Sequence, residues 1–296
     1  MATTISKLFP TGILQTGVSL DEVTYNSVKL GPSGVFSNQF DEVNLSGGVA
    51  ERRRSDGTYQ VSNYFDEYTT LATPIVTSGL QFNLATAPSS GTTWTDISGN
   101  GYNATLQGSA SYTSANNGGI KLNNANSTGN AYISVPYNIS SNTVTVEIVA
   151  SFNPTGFWAT IWGNESYTAG RGYLAFMTAS NSITYGKSTA PTTESITASN
   201  SVRHWTFVIN GTQHSLYLNG TQVGTTDTLA VQTLFATSEF LFGARHTNAG
   251  TGATDKINNS NSALQPVFYQ MRIYNIALSG SQVTQNYNAI KGTYGI

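Results

Sequence analysis

Trp205-Thr206-Phe207-Val208-Ile209, Asn210-Gly211, His214-Ser215-Leu216-Tyr217-Leu218, Asn219-Gly220 and Thr221-Gln222-Val223 decide the fold class. Apolar and polar side chains alternate in these runs, which is the period of a pleated strand with one buried face. Asn-Gly between such runs is the strongest short-range hairpin signal, because a type I′ turn needs positive φ at both central residues. Two such dipeptides predict a three-stranded meander. Outward from it, the same period predicts strands at 80–84, 131–135, 143–152, 157–163, 172–178, 182–187, 239–243 and 266–274, with loops at Ser114–Asn130 and Thr247–Ser262. Many short strands joined by polar turns predict an all-β sandwich. Only the C-terminus has a helical period. Ser279 and Gln282 form a capping box, Val283, Tyr287 and Ile290 make one apolar stripe, and Gly292 suits a left-handed C-terminal position.

Composition narrows the class. Of 296 residues only 9% are charged, where ordinary soluble domains carry roughly 25%. Ser, Thr and Asn supply 102 residues and the net charge is −2. No apolar run is long enough to cross a membrane as a helix, so membrane insertion is not expected. The first ten residues have no long apolar stretch, so no secretory signal is expected. So few cations make a poor nucleic-acid binder. The absence of cysteine removes disulfide scaffolds and thiolate chemistry.

Charge is unevenly distributed. Residues 1–72 hold 13 of the 28 charged residues, and a boundary is expected between them and 73–296. Leu20-Asp21-Glu22-Val23, Phe40-Asp41-Glu42-Val43 and Phe65-Asp66-Glu67-Tyr68 repeat an apolar-Asp-Glu-apolar core, and a recurring unit suggests strands that pack alike. A segment of this size with few aliphatics rarely stabilises itself without staples. The first 72 residues are therefore read as a β-rich arm that borrows a partner's surface. Phe40, Asp41, Glu42, Phe65, Asp66 and Glu67 are its expected contacts. Arg52-Arg53-Arg54 is read either as a solvated loop or as a docking contact for acidic groups on a neighbour.

Hydrolytic chemistry finds little material. Glycosidases on sandwich scaffolds need two carboxylates facing each other across the scissile bond, and alternate residues of one strand share a face. The strand Thr143–Phe152 carries only Glu147, flanked at that spacing by Thr145 and Val149. Asp96, Glu165, Glu194, Asp227, Glu239 and Asp255 are far apart in sequence. His204, His214 and His246 lack a Gly-x-Ser-x-Gly elbow, and His204 and His214 are expected at the surface or between strands. No catalytic residue is assigned.

Three further stretches carry a resemblance. Gly79-Leu80-Gln81-Phe82 with Trp94-Thr95-Asp96-Ile97-Ser98-Gly99-Asn100-Gly101-Tyr102-Asn103 resembles the opening of laminin-G-like, concanavalin A-like jelly-roll domains. His204–Val208 with Leu216-Tyr217-Leu218-Asn219-Gly220 resembles their middle strand pair, and Met271–Ser279 their closing strand and turn. The tail Gln285–Gly292 resembles endings of tailed-phage virion proteins carrying this domain. Leu8–Gln15 and two Asn-x-Phe-Asp-Glu units, which begin at Asn38 and Asn63 and extend two of the repeats, resemble structural proteins of phages infecting cyanobacteria.

The resemblance implies a non-enzymatic component of the virion surface, of capsid decoration or head-fibre type. Its arm would dock on the major capsid protein or a tail protein, its jelly roll would be displayed, and it would form a homo-oligomer, with a trimer expected. The alternative is a tail-associated adhesin for host-surface glycans. The resemblance also implies calcium, for which Asp96, Asn100, Asn103 and Asp255 could supply oxygens. The family's acidic pair before the final strand is replaced here by Tyr269-Gln270, and the stretch around Asp96 equally suits a turn held by side-chain hydrogen bonds. It finally implies a sugar site, for which Trp158, Trp162 and Tyr167 with Asn164 and Arg171 supply aromatic faces and polar groups. Trp158 and Trp162 equally suit the sandwich core.

Overall fold

Alternation of the kind just described builds sheets, and in the computed structural model of this chain the described residues form four. It describes residues 40–46, 49–54, 59–62, 74–123, 131–152, 159–166, 170–179, 182–187, 190–196, 199–235, 239–246, 255–256 and 266–296. The chain divides into two compact units, Met1–Ala72 and Thr73–Ile296.

In the first unit β1 (Phe40–Ser46), β2 (Val49–Arg54) and β3 (Tyr59–Ser62) form an antiparallel sheet in that order. The arginine run therefore lies on a strand and not in a loop. Glu42 stands opposite Arg53 and Phe40 opposite Arg54, with a register shift at Asp41. Phe65, Asp66 and Glu67 lie outside the described residues.

The second unit contributes β4 (Leu80–Leu84), β5 (Thr93–Trp94), β6 (Ala104–Gln107), β7 (Ala110–Thr113), β8 (Gly119–Leu122), β9 (Tyr132–Val135) and β10 (Thr143–Ser151). There follow β11 (Ala159–Ser166), β12 (Arg171–Ala179), β13 (Ser182–Lys187), β14 (Thr192–Ser195), β15 (Arg203–Asn210), β16 (Gln213–Leu218) and β17 (Thr221–Thr228). The last strands are β18 (Phe240–Phe242), β19 (Ala244–Arg245), β20 (Asp255–Lys256) and β21 (Val267–Tyr274), before a helix α1 (Gly280–Tyr294).

One large sheet runs β17-β16-β15-β10-β21-β8-β7, with β4 also on β21; the other runs β14-β13-β12-β11-β18-β9-β6-β5. All their pairings are antiparallel. The sandwich expected from the sequence is present. Where a loop was expected at Ser114–Asn130, Gly119–Leu122 is strand β8, because β7 and β21 flank it and supply the pairing that four residues alone do not announce.

The core between the sheets is aromatic. Phe82, Phe207, Phe240, Phe242 and Trp162 are all fully buried. Their rings meet edge-on or stacked at centroid separations of 5.0–6.5 Å, the range where aromatic pairs add to the value of burial.

Strand β10 shows how both faces of one sheet are used. Val144, Val146, Ile148 and Ala150 point into the core. Val149, on the opposite face, packs with Tyr269, Ile290 and Tyr294. Helix α1 thus covers the outer face of this sheet. Its capping box is formed by Ser279 and Gln282, as the sequence predicts. Its end differs: the helix passes through Gly292 and stops at Gly295, whose φ of 67° is left-handed. Tyr294 explains the extra turn, since it is buried against the sheet and donates to the Ala85 carbonyl at 3.3 Å.

The two Asn-Gly turns also differ from one another. Leu218 pairs with Thr221, and Asn219 and Gly220 both have positive φ, the type I′ signature. In the first hairpin Asn210 pairs with Gln213, so Gly211-Thr212 forms the loop and only Gly211 has positive φ.

Candidate functional site: a neutral cleft beside a buried charge network

The strand carboxylate Glu147 is held beneath helix α1. Arg272 on β21 stands opposite it in the ladder and reaches its Oε2 at 3.3 Å, and His204 on β15 reaches Oε1 at 3.4 Å. From the helix, the Asn286 amide donates to both carboxylate oxygens at 3.0 and 2.9 Å. All four residues are at most 2% exposed. Burial alone would push the Glu147 carboxyl up. The hydrogen bond and charge of His204, the Arg272 guanidinium and the Asn286 amide outweigh burial and hold it below the usual carboxylate range. Asn286 also accepts from the Val76 backbone N–H at 2.7 Å, and the Tyr287 ring stacks over His204. A carboxylate enclosed in this way cannot reach a substrate. It ties the helix to the sheet.

The three histidines lie inside. His204, His214 and His246 are each at most 1% exposed, so of the two places expected for His204 and His214, the surface or between strands, they take the second. Strand position accounts for it: β15 and β16 are interior to the sheet, His204 lies under Tyr287 of α1, and His214 faces inward beside Tyr173.

The described members of the group proposed for sugar do not share a surface. Trp162 is fully buried, stacked on Phe240 at 5.5 Å and edge-on to Phe207 at 5.6 Å, so neither ring face meets solvent. Asn164 is 1% exposed, with its amide towards Asn138 and the Glu239 carbonyl. Arg171 is exposed at the start of β12. Trp158 and Tyr167 lie outside the described residues. Trp162 and Asn164 follow the strand's inward period, which no exposed sugar platform shares.

The oxygens expected to hold calcium are engaged in a turn. Asp96 Oδ1 accepts from the backbone N–H groups of Asn83 at 2.9 Å and Ser98 at 2.8 Å. Its Oδ2 accepts from Ser98 Oγ at 2.8 Å and the Tyr102 N–H at 3.0 Å. Burial acts to raise this carboxyl, and the donated hydrogen bonds together hold it below the usual range. Asn103 Oδ1 accepts from the Asp96 N–H, while Asn100 donates its amide to the carbonyls of Leu80 and Gln81. The site is lined with donors where a hard cation needs acceptors. These residues do not fit calcium. Asp255 lies on β20, opposite Arg245. Among the described residues no three His, Asp or Glu side chains are grouped to hold a metal.

A different place offers a concave surface. On the outer face of β15, β16 and β17, beside the start of α1, lies a cleft of about 380 Å³. Val208, Tyr217 and Leu278 supply its apolar wall; Asn210, Gln213, Ser215, Thr226, Ser279 and Gln282 supply amides and hydroxyls. None of the lining residues is charged. Alternation puts Ser215 and Tyr217 on this face, opposite to the inward-facing His214 and Leu216. Ser215 and Thr226 share a hydrogen bond of 2.9 Å across β16 and β17. An aromatic side chain stands there among amides and hydroxyls, in a concavity within the usual volume of ligand sites. The sequence carried part of this signal, since the meander motif contains Tyr217, Asn210 and Ser215. The helix side of the cleft could not be foreseen from it.

Two antiparallel sheets face to face, with a helix on one outer face and the carboxylate of the central strand buried, define a lectin-like sandwich. The model of the concanavalin A-like lectin/glucanases superfamily matches residues 107–284, and the chain belongs to that superfamily. No curated protein matches it. Among solved structures, the binding domain of Paraclostridial Mosquitocidal Protein 1 aligns with TM-score 0.55 and 19% identity, covering 71% of this chain and 52% of that one. Botulinum neurotoxin type C, in a structure whose subject is cell entry through two ganglioside molecules, aligns with TM-score 0.56 and 13% identity, covering 72% and 51%. The binding domain of botulinum neurotoxin DC, solved with rat synaptotagmin II, gives 0.53 and 13%, covering 72% and 52%. The chain spans about half the length of these structures, and at such identities the likeness is one of fold.

Proposed function

We propose that this protein is a non-enzymatic, lectin-like virion component that displays its sandwich and takes uncharged host-surface glycans in the cleft on β15–β17. The observation that carries the binding reading is the cleft's lining: an aromatic side chain among amides and hydroxyls, with no carboxylate pair to cleave what is held. The toxin relatives, named in their structures with gangliosides and a protein receptor, use the same kind of sandwich in receptor-binding domains. Residues 1–72 would anchor the molecule on the major capsid protein or a tail protein, in a homo-oligomer taken to be a trimer. That assignment is supported by the charge carried in the arm and by the phage-like sequence at both ends of the chain.

Two experiments test the two halves. Full-length protein on a glycan array should bind neutral glycans and leave them uncleaved; an array without a hit would overturn the binding reading. Deletion of residues 1–72 should leave a folded sandwich that no longer joins particles. Retained incorporation would overturn the anchor. Location at the tail tip together with specific sugar affinity would favour the adhesin over the capsid decoration.

A further inference from the structure

Strand β16 has two working faces. Its outer side chains Gln213, Ser215 and Tyr217 line the cleft. Its inner side chain His214 crosses to the other sheet and meets β12 and β13 there. The ring centroids of His214 and Tyr173, on β12, are 6.0 Å apart. On β13 the imidazole lies against Gly186, where a Cβ would come within 2.7 Å of His214 Nδ1. Gly186 has a φ of 105°, so the position calls for glycine both for its backbone angle and for the room the ring takes.

This seat suits a neutral ring alone. His214 is fully buried, and among the described residues neither ring nitrogen has a hydrogen-bond partner. A neutral imidazole leaves one donor and one acceptor unpaired there; a protonated one would leave two donors and a whole charge. The groups around it do not answer that charge. Asp227 stands opposite on β17, yet its Oδ2 accepts from Thr192 on β14 at 2.7 Å, and among the described residues no ion pair joins it to His214. The opposite residue on β15 is Ile209. Lys187, beside Gly186 on β13, is itself a cation. Burial pushes the hydroxyls of Tyr173 and Tyr185 up, so both are uncharged wherever histidine titrates.

We propose that His214 is an acid-operated wedge that opens this edge of the sandwich and with it the cleft. Neutral, the ring lets β16 close on β12 and β13. Protonated, it carries an unanswered charge in the core, relieved when β16 and β17 part from the other sheet and the ring reaches water. Gln213, Ser215 and Tyr217 move with their strand, so the cleft loses its wall. Burial, with Lys187, outweighs the Gly211 carbonyl and the Asp227 carboxylate and holds His214 below the usual histidine range, in keeping with this geometry. The unfolded chain takes up the proton at the ordinary histidine value and the folded one only below it. The closed edge's contribution is therefore complete above the ordinary value and is lost as pH falls through the lowered one. The opening of the edge stands on the seat of His214; its effect on binding rests on the glycan reading of the cleft.

Hydrogen exchange on the full-length protein tests the edge, with rates corrected for the intrinsic effect of pH. Amides of 213–218 and 221–228 should lose protection between neutral and mildly acid pH, while those of 143–151 keep theirs. His214→Phe keeps a ring against Tyr173 and takes no proton, so it should abolish that loss; His214→Gln should do the same. In the wild type the His214 ring resonances should change only over the pH range in which the edge opens. Protection that is flat with pH, a slope that survives both substitutions, or a ring that titrates at the ordinary histidine value under a protected edge would overturn the wedge. An array of neutral glycans read at both pH values tests the link to the cleft. Signal at neutral pH should vanish in mild acid for the wild type and persist for His214→Phe. Signal that persists while the edge opens would overturn the link, whereas an array empty at neutral pH would overturn the glycan reading and leave the wedge to the exchange result.

Discussion

Asn286 holds Glu147 by both carboxylate oxygens at once, from a helix 139 residues further along the chain. The same amide group accepts from the Val76 N–H, so one side chain joins the helix, the central strand and the segment leading into the sandwich. Replacing Asn286 by Ala strands several buried polar groups. Unsatisfied groups of this kind cost roughly 1–3 kcal/mol each and more when charged, so a loss of about 3 kcal/mol is expected from denaturant unfolding. Asn286→Asp should be worse, because it adds a second carboxylate beside the first.

The pH dependence of this network has a definite direction. Glu147 is more acidic in the folded chain than in the unfolded one, with burial opposing and His204, Arg272 and Asn286 overriding it. Its contribution is complete above the ordinary carboxylate value and is lost as pH falls through the lowered one. Melting temperature measured against pH should show Glu147→Gln well below the wild type at neutral pH and approaching it in acid. Curves that stay parallel would contradict this.

Asp96 holds a turn by four accepted hydrogen bonds. The melting temperature of the protein should be unchanged by a chelator and by added calcium. Asp96→Ala should cost about 2–4 kcal/mol, since three backbone N–H groups lose a charged acceptor. A melting curve that moves with calcium in the wild type would refute the reading.

The cleft can be probed without disturbing the core. Tyr217→Ala and Gln213→Ala should each weaken binding of whichever neutral glycan the array identifies by about tenfold, or roughly 1.4 kcal/mol. Arg171→Ala, an exposed position away from the cleft lining, should leave it unchanged. Trp162→Ala is expected to act on stability instead, by about 3–5 kcal/mol, as for other buried aromatics. Titration calorimetry and denaturant unfolding separate the two effects.

Legibility in the sequence followed the range of the interactions. The meander at 203–228 and the capping box at Ser279 are written within a few residues of themselves, and local period and turn chemistry reveal them. Glu147 could be recognised as a lone strand carboxylate, but Arg272 and Asn286 lie 125 and 139 residues away and meet it only through the sheet order. Trp162 and Asn164 were ambiguous because a strand's inward and outward sides look alike in composition when Ser, Thr and Asn supply 102 of 296 residues. Gly292 looked like a stop because the sequence cannot say that Tyr294 has a seat on the sheet.

The placement of β21 has a consequence for synthesis. It lies between β10 and β8, and it also carries β4, whose residues come almost two hundred positions earlier. Pairings this remote are slow to form. A chain cut short before Val267 would leave β10 with a bare hydrogen-bonding flank and Glu147 with no guanidinium beside it. Nascent or clipped copies should therefore be the sticky ones, and a chaperone or a protease would find its substrate among them.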